Sequence, residues 1–381
     1  MIGKRVMKPK ILILIGRYLP GYKDGGPIRT ISNMIELNHD SIDFYIVTKD
    51  RDRSAKQSYP NIKLNEFQKV NHANVLYYSG RFKINYIKDN LNEYDAVYIC
   101  GPYDWYAIRT VNYLKRKDSD VRVYIASMGT FSVGAIKIKG LKKRLFFRVT
   151  KLIGLFNNIE WIVSSESEAK DLINVYSNAK YFVVINPPSS MNCKIKPIDG
   201  ENVKKNIVFI SRITRKKNLS FAIDILEKIS HDIIFDIYGP IEDKNYWNEC
   251  KNKLKKLPKN ISWEYKGVVN PVDLCKCLSG YHVFLFPTKG ENFGHVIYEA
   301  MSSGCIPVIS DQTLWVDKEI KRIGCVCNLS SLNDFVSNLN SILNLNDDEL
   351  IQRRLRAQNY MQNFYFKTKT ENSYRKLFSR D

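Results

Sequence analysis

The stretch VFLFPTKGENFGHVIYEAMSSGCIPVIS runs from Val283 to Ser310. It reads in order as a short apolar strand, a polar loop, an amphipathic helix, a tight glycine turn and a second apolar strand. Strands that are apolar at every position are buried on both faces, and a helix linking two of them makes a parallel β-α-β unit. Glu291 falls in the loop and Glu299 in the second helical turn, so both carboxylates can face one cleft while Phe293, Val296, Ile297 and Ala300 bury the helix. The backbone N–H groups from Asn292 through Phe293 and Gly294 to His295 have no intrahelical partners and carry the positive end of the helix dipole, which suits sugar hydroxyls or a phosphate. A carboxylate accepts paired hydroxyl donors, as a ribose or a hexose presents them.

The same alternation extends to both sides of this stretch. Strands at 206–210, 233–238, 261–265, 283–286 and 306–309 alternate with helices at 219–229, 246–257, 271–278 and 295–303. Upstream, strands at 10–15, 43–48, 74–78, 96–100, 122–126, 161–164 and 181–185 alternate with helical segments that include 28–37 and 106–117. Pro187 and Pro188, followed by a polar stretch to Lys205, interrupt the series and mark a boundary. The expected class is therefore α/β with two Rossmann-like domains, an N-terminal one over 1–187 and a C-terminal one over 188–360. A polar helix from Asp347 to about Phe378 closes the chain, with 361–381 packing back on the N-terminal domain. Two such sheets on a short linker create a cleft at the carboxyl ends of their strands, where open parallel sheets bind ligands.

At roughly 150 residues per domain, 381 residues suffice for two, and 44% apolar residues supply two cores. No apolar run approaches the ~18–20 residues that span a bilayer. The apolar run after the basic Met1–Lys10 segment is strand-sized and shorter than a signal-peptide core, so a cytoplasmic chain is expected. Lys+Arg 59 against Asp+Glu 39 gives +20 and predicts a polyanionic partner. The eight cysteines are scattered, with neither Cys275/Cys277 nor Cys325/Cys327 at zinc or redox spacing, which predicts buried reduced thiols. The five histidines never fall at metal-ligand spacing, so no metal is expected. No Gly-x-Gly-x-x-Gly follows a strand and no Walker-type loop occurs, which removes the dinucleotide and P-loop phosphate cradles.

A different phosphate grip is present. The strand at 206–210 runs into Ser211-Arg212-Ile213-Thr214-Arg215-Lys216-Lys217-Asn218 just before a helix. Arg212 at the strand end and Lys217 ahead of the helix are placed to hold a diphosphate by a bidentate fork and a point charge, with Arg215 and Lys216 read as solvated. Taken with Glu291-x7-Glu299, Asn-Phe-Gly after the first glutamate and Glu-Ala-Met-x-x-Gly-x-x-Pro-Val from the second, the chain resembles retaining glycosyltransferase family 4, the glycosyl transferases group 1 of the GT-B fold. The resemblance implies that Arg212 and Lys217 bind the donor diphosphate, that Glu291 and the amides of Asn292, Phe293 and Gly294 hold the donor sugar, and that Glu299 takes the ribose hydroxyls. Glu291, Arg212 and Lys217 would then carry catalysis, with a nucleotide diphosphate sugar as donor substrate and no cofactor or metal. Residues 21–29 resemble the family's glycine loop, with Gly25 and Gly26 approaching the donor. Many members carry His-Gly near the donor sugar, where this chain has Ser127-Met128-Gly129-Thr130. Met128 cannot donate a histidine's hydrogen bond, so recognition there falls to Ser127, Thr130 or main chain.

Residues 121–159 contain no acidic side chain and eight basic ones. Ile138, Leu141, Leu145, Val149, Leu152 and Phe156 recur every three or four residues, predicting an amphipathic helix whose apolar stripe packs on its own sheet. Its Lys139, Lys142, Lys143 and Arg144 are expected to face an anionic membrane surface. The expected function is retaining transfer of a hexose from a UDP- or GDP-sugar to a hydroxyl of a lipid-linked saccharide, in bacterial O-antigen, capsule or lipopolysaccharide synthesis, at the inner face of the cell membrane. The alternatives are a sugar-nucleotide epimerase or phosphorylase of the same fold and, from another class, a basic nucleic-acid-binding protein. The last has no recognition motif in its favour.

Overall fold

The computed structural model describes residues 8–53, 55–132, 140–196 and 204–379. The chain forms two compact units, 1–187 with 368–381, and 188–367. No helix among the described residues is long and apolar enough to cross a membrane.

The first unit holds an eight-stranded sheet in the order β3-β4-β2-β1-β5-β6-β7-β8. Its strands are β1 (Lys10–Leu14), β2 (Asp43–Lys49), β3 (Phe67–Val70), β4 (Ala73–Tyr78), β5 (Ala96–Cys100), β6 (Arg122–Ala126), β7 (Glu160–Val163) and β8 (Lys180–Val183). All pair in parallel except β3, which runs antiparallel to β4. Ile11 to Leu14 and all of β5 are buried, because these central strands are covered on both faces. Leu12 and Leu14 share a core with Tyr106 and Leu114 of α2 (Trp105–Lys117) and Leu172 of α4 (Glu166–Val175). Ile11 and Ile13 point the other way, into a core with Ile31 and Ile35 of α1 (Gly26–Asn38) and with Tyr374 and Phe378 near the chain's end. Between α2 and α4 lies α3 (Gly140–Leu152).

The second unit is a six-stranded, all-parallel sheet in the order β11-β10-β9-β12-β13-β14. It comprises β9 (Lys205–Ile210), β10 (Ile233–Tyr238), β11 (Ile261–Gly267), β12 (Val283–Phe286), β13 (Ile306–Ser310) and β14 (Cys325–Cys327). The helices are α5 (Leu219–Leu226), α6 (Lys244–Leu254), α7 (Leu274–Leu278), α8 (His295–Ser302), α9 (Lys318–Ile323), α10 (Leu332–Leu343) and α11 (Asp347–Glu371), followed by α12 (Ser373–Phe378) in the first unit. Strand β9 pairs with β10 on one side and β12 on the other, so the order reverses there. The loops leaving β9 and β12 diverge at their carboxyl ends, the place where such sheets open a crevice.

Several expectations are corrected. The closing helix is two helices, broken at Asn372 with φ +32°, where its side chain caps the second by accepting from the Arg375 amide. Arg354 pins the first of them to the second unit by donating to the carbonyls of Gly304, Lys196 and Ser279. Two strands, β3 and β14, were not foreseen, since one is a polar hairpin edge and the other three residues long. Cys193 and Cys275 form a disulfide across 82 residues, because the chain after the proline pair comes back to α7. The other six cysteines are free thiols, five of them buried, and burial pushes Cys250 up to about 11 and Cys305 to about 12.

The predicted stripe on α3 does not pack on its own sheet. Leu141, Leu145, Val149 and Leu152 are exposed at 88%, 63%, 44% and 85%. The covered side instead carries Phe147, whose ring packs edge-on against that of Tyr176, and Thr150, whose hydroxyl is hydrogen-bonded with the Tyr176 hydroxyl. Only Phe156, beyond the helix, is buried from that series, and Ile138 lies outside the described residues.

Candidate functional site

In the second unit the two loops at the reversal of strand order meet. The Thr214–Lys217 turn brings Lys217 to the head of α5, and its ammonium is ion-paired with Glu291 in the loop after β12. Each of these side chains is 12% exposed. Thr288 Oγ1 donates to Glu291 Oε1 at 3.1 Å, and Lys217 Nζ lies 5.6 Å from the centre of the Phe286 ring. Main-chain contacts fix the pair: the Lys289 amide donates to the Lys216 carbonyl at 2.9 Å, and Asn218 Nδ2 to the Pro287 carbonyl at 3.0 Å. Asn218 itself takes φ +64°, a conformation asparagine tolerates better than most residues.

Arg212 is oriented by Glu242, with its NH1 3.2 and 3.1 Å from the two carboxylate oxygens, and stays part-exposed. Arg215 lies outward on Glu249 at 2.5 Å and over the Tyr246 ring. Lys216 departs from the purely solvated reading. Its pKa is lowered, chiefly by partial desolvation, with Glu291 opposing the shift and Lys217 and Arg212 adding to it, so it belongs to the same charge cluster.

The α8 helix starts at Gly294 with φ +76° and no side-chain cap. A Cβ at Gly294 would lie 2.9 Å from Ile297 Cδ1, so both backbone conformation and space call for glycine. Trp315 Nε1 donates to the Phe293 carbonyl at 2.6 Å, and the Phe293 ring packs on Trp315 and Phe364, which holds the loop ahead of the helix. The Glu291 amide is anchored on the Gln312 carbonyl at 3.1 Å. Glu299 is 4% exposed. The head of α8 thus presents backbone donors next to a paired carboxylate and ammonium, an arrangement able to take a phosphorylated, hydroxyl-rich ligand.

In the first unit, Gly25 at φ +67° opens α1, again without a side-chain cap, and Gly26 is its first residue. The preceding turn is braced by Asp24, paired with Arg17 at 3.1 Å and Arg53 at 2.7 Å, and by Asp52, which accepts from the amides of Tyr22 and Lys23. Burial pulls Arg29 down to about 10. The segment after β6 is a tight turn with Met128 at φ +49° and Gly129 at φ +73°. Ser127 is spent on the Ile162 carbonyl, and Thr130 closes the turn on the Ser127 carbonyl. Buried Glu168 holds this turn by accepting from the Gly129 amide, and from the amide and hydroxyl of Ser164. Sequence reading missed Glu168. The Ser165-x-x-Glu168 pattern signals a helix start, and Ser165 does accept from the Glu168 amide, but only the fold turns the carboxylate toward residue 129.

Of the basic residues on α3, Lys142 and Arg144 are exposed, whereas Lys143 lies 5.0 Å over the Tyr103 ring, and Lys139 is outside the described residues. Side chains far apart in the sequence also meet in the fold. His39 and His72 stack with ring centres 3.7 Å apart and, with Glu36, offer ligand atoms within 4.8 Å of one another. The chain also has two Asp-x-Asp triplets, Asp118-Ser119-Asp120 and Asp50-Arg51-Asp52. There Asp50 is held by Arg51 and Ser58, while Asp52 braces the glycine turn.

Comparison with known proteins matches residues 194–361 to the family Glycosyl transferases group 1. Sulfoquinovosyl transferase SQD2 of Arabidopsis thaliana is 27% identical over 161 residues, which span 40% of this chain and 29% of that protein. Sucrose-phosphate synthase from Thermosynechococcus elongatus superposes with a TM-score of 0.71 at 14% identity, over 98% of this chain and 100% of that one. Anabaena HepE, solved with UDP and glucose, gives 0.69 at 14% identity, over 97% and 99%. The fold is GT-B, with two Rossmann-like units built on parallel sheets and a C-terminal helix, and the family match falls on residues 194–361.

Proposed function

We propose that the protein is a retaining hexosyltransferase of glycosyltransferase family 4 that moves a hexose from a UDP- or GDP-sugar to a hydroxyl of a lipid-linked saccharide. Its place would be the inner face of a bacterial cell membrane, in synthesis of O-antigen, capsule or lipopolysaccharide. The observation that carries this reading is the Lys217–Glu291 pair, which joins two loops at the reversal of strand order beside the uncapped start of α8. The match of this region to group 1 glycosyl transferases supports it.

In the proposed reaction, donor phosphate takes Lys217 from Glu291, and Arg212 adds a second cation. The bond between the anomeric carbon and the diphosphate oxygen breaks while the acceptor hydroxyl oxygen bonds that carbon on the same face. The hydroxyl proton passes to an oxygen of the departing diphosphate, so configuration is retained and no enzymic base is required. Lys217, Arg212 and the N–H groups at the α8 start answer the charge that develops on the leaving group, without a metal ion or a cofactor. Glu291, released from Lys217, accepts from a hexose hydroxyl and Glu299 from the ribose. In the first unit, the Gly25-Gly26 turn is assigned to donor binding and the Ser127–Thr130 turn to recognition of a sugar by main-chain groups.

A donor-hydrolysis screen over UDP- and GDP-sugars identifies the substrate, and two variants then test the roles. Glu299→Ala should raise the nucleotide Kd by a factor worth ~1.5–3 kcal/mol, whereas Glu291→Ala should chiefly lower kcat. If both variants bind and turn over as the wild type does, the site lies elsewhere.

A further inference from the structure

The α3 helix presents an uncovered apolar row inside a basic frame. Leu141, Leu145, Val149 and Leu152 are spaced by four, four and three residues. At about 100° per residue they fall within an arc about 80° wide, and Ile153, 65% exposed, continues it past the helix end. Arg144, Arg148 and Lys151 project along one edge of that arc and Lys142 along the other, all exposed. The opposite side is committed to the unit's core through Phe147 and Thr150, so the helix cannot turn its leucines inward without losing those contacts. Lys115 at the end of α2 donates to the Gly154 carbonyl, which ties the end of α2 to the turn that follows α3.

We propose that this face is a membrane-insertion surface, in which the apolar row enters the headgroup and acyl boundary of an anionic bilayer and the basic edges pair with its phosphates. Chemistry selects that occupant. Four large aliphatic side chains left in water along one line exceed what an ordinary soluble surface carries, and positive edges on both sides match an anionic lipid plane. The whole of 121–159 lacks an acidic residue, so nothing in the segment repels that plane. A helix of 13 residues, about 20 Å long, lying flat reaches about 5–10 Å into the interface, enough for leucine side chains and too shallow to span. The proposal rests on a membrane-located acceptor for its purpose but not for its physics.

The experiment uses the full chain and phosphatidylglycerol–phosphatidylcholine vesicles, with pure phosphatidylcholine as control. Wild type should sediment with the anionic vesicles at low salt. The triple change Leu141→Ser, Leu145→Ser and Leu152→Ser should weaken partitioning at least ~10-fold at every salt concentration, because it removes insertion. Changing Lys142, Arg144, Arg148 and Lys151 to Gln should weaken it most at low salt, where charge is least screened. Leu145→Trp should shift its emission to the blue on vesicles and be quenched by brominated lipid, a reading of burial in acyl chains that a purely electrostatic contact would not give. All these positions are exposed, so donor hydrolysis in solution should persist as the check on folding. Three outcomes overturn the proposal: no sedimentation of wild type at low salt, full binding by the serine variant, or a wild-type dimer that the serine variant converts to monomer, which would make the face a contact between copies. Vesicle binding together with failure to glycosylate any lipid-linked acceptor would leave the surface standing and remove the assigned acceptor.

Discussion

Glu291→Gln perturbs the centre of the site by one charge while keeping the side chain's size and its capacity to accept from Thr288 Oγ1. In the wild type both members of the pair are 12% exposed, and the Phe286 ring centre lies 5.6 Å from the ammonium. Removing one member of a buried pair costs about 3–5 kcal/mol, since the survivor is left desolvated. The residual exposure and the cation–π attraction place this pair at the low end, about 3 kcal/mol. For a unit of this size that corresponds to a fall in Tm of roughly 6–12 °C, read by scanning calorimetry. Lys217→Met should cost a similar amount. The double variant, with neither charge to desolvate, should be more stable than the sum of the two by about 1–3 kcal/mol. UDP or GDP should then raise the Tm of Glu291→Gln more than that of the wild type, because its Lys217 gains the diphosphate without giving up Glu291. A Glu291→Gln variant within about 1 °C of wild type, with additive single changes, would refute the reasoning.

Arg212→Ala and Lys217→Ala should each lower kcat/KM at least ~100-fold, while Arg215→Ala, outward on Glu249, should change it little; equal mild effects in a steady-state assay would return the loop to a solvated role. Gly239→Ala should destabilise the fold by about 2 kcal/mol or more in urea titration, since at φ +130° its Cβ would fall 1.7 Å from the Ser211 carbonyl oxygen, and a wild-type midpoint would contradict that packing. His282 is buried as the neutral ring, its Nδ1 accepting from the Asn206 amide, with its pKa held at about 4 against 6.5, first by desolvation and then by Arg354. The unfolded chain therefore takes up a proton that the folded one refuses. Stability present above pH 6.5 should drop by about 3 kcal/mol as pH falls to 4, and His282→Asn should flatten that slope in denaturation curves.

The sequence by itself determined the layered α/β architecture and the two cores. Fully apolar runs such as those of β5 and β12 can be satisfied only in sheets covered on both sides, and Pro187-Pro188 can belong to neither. It also pointed to residues 212–217 and 291–299, because charge and glycine at strand ends are local properties. Tertiary structure alone decided what touches what. Periodicity showed that α3 has an apolar side but not that its core contact would come from Phe147 and Thr150, since coverage depends on the neighbours' shape and not on the helix's own spacing. Glu168 under residue 129, Lys217 on Glu291, Cys193 on Cys275 and His39 on His72 are joined across 39, 74, 82 and 33 positions. A short-range pattern carries no information about such pairs, because the energy that makes them arises only when the sheet order brings their loops to one edge.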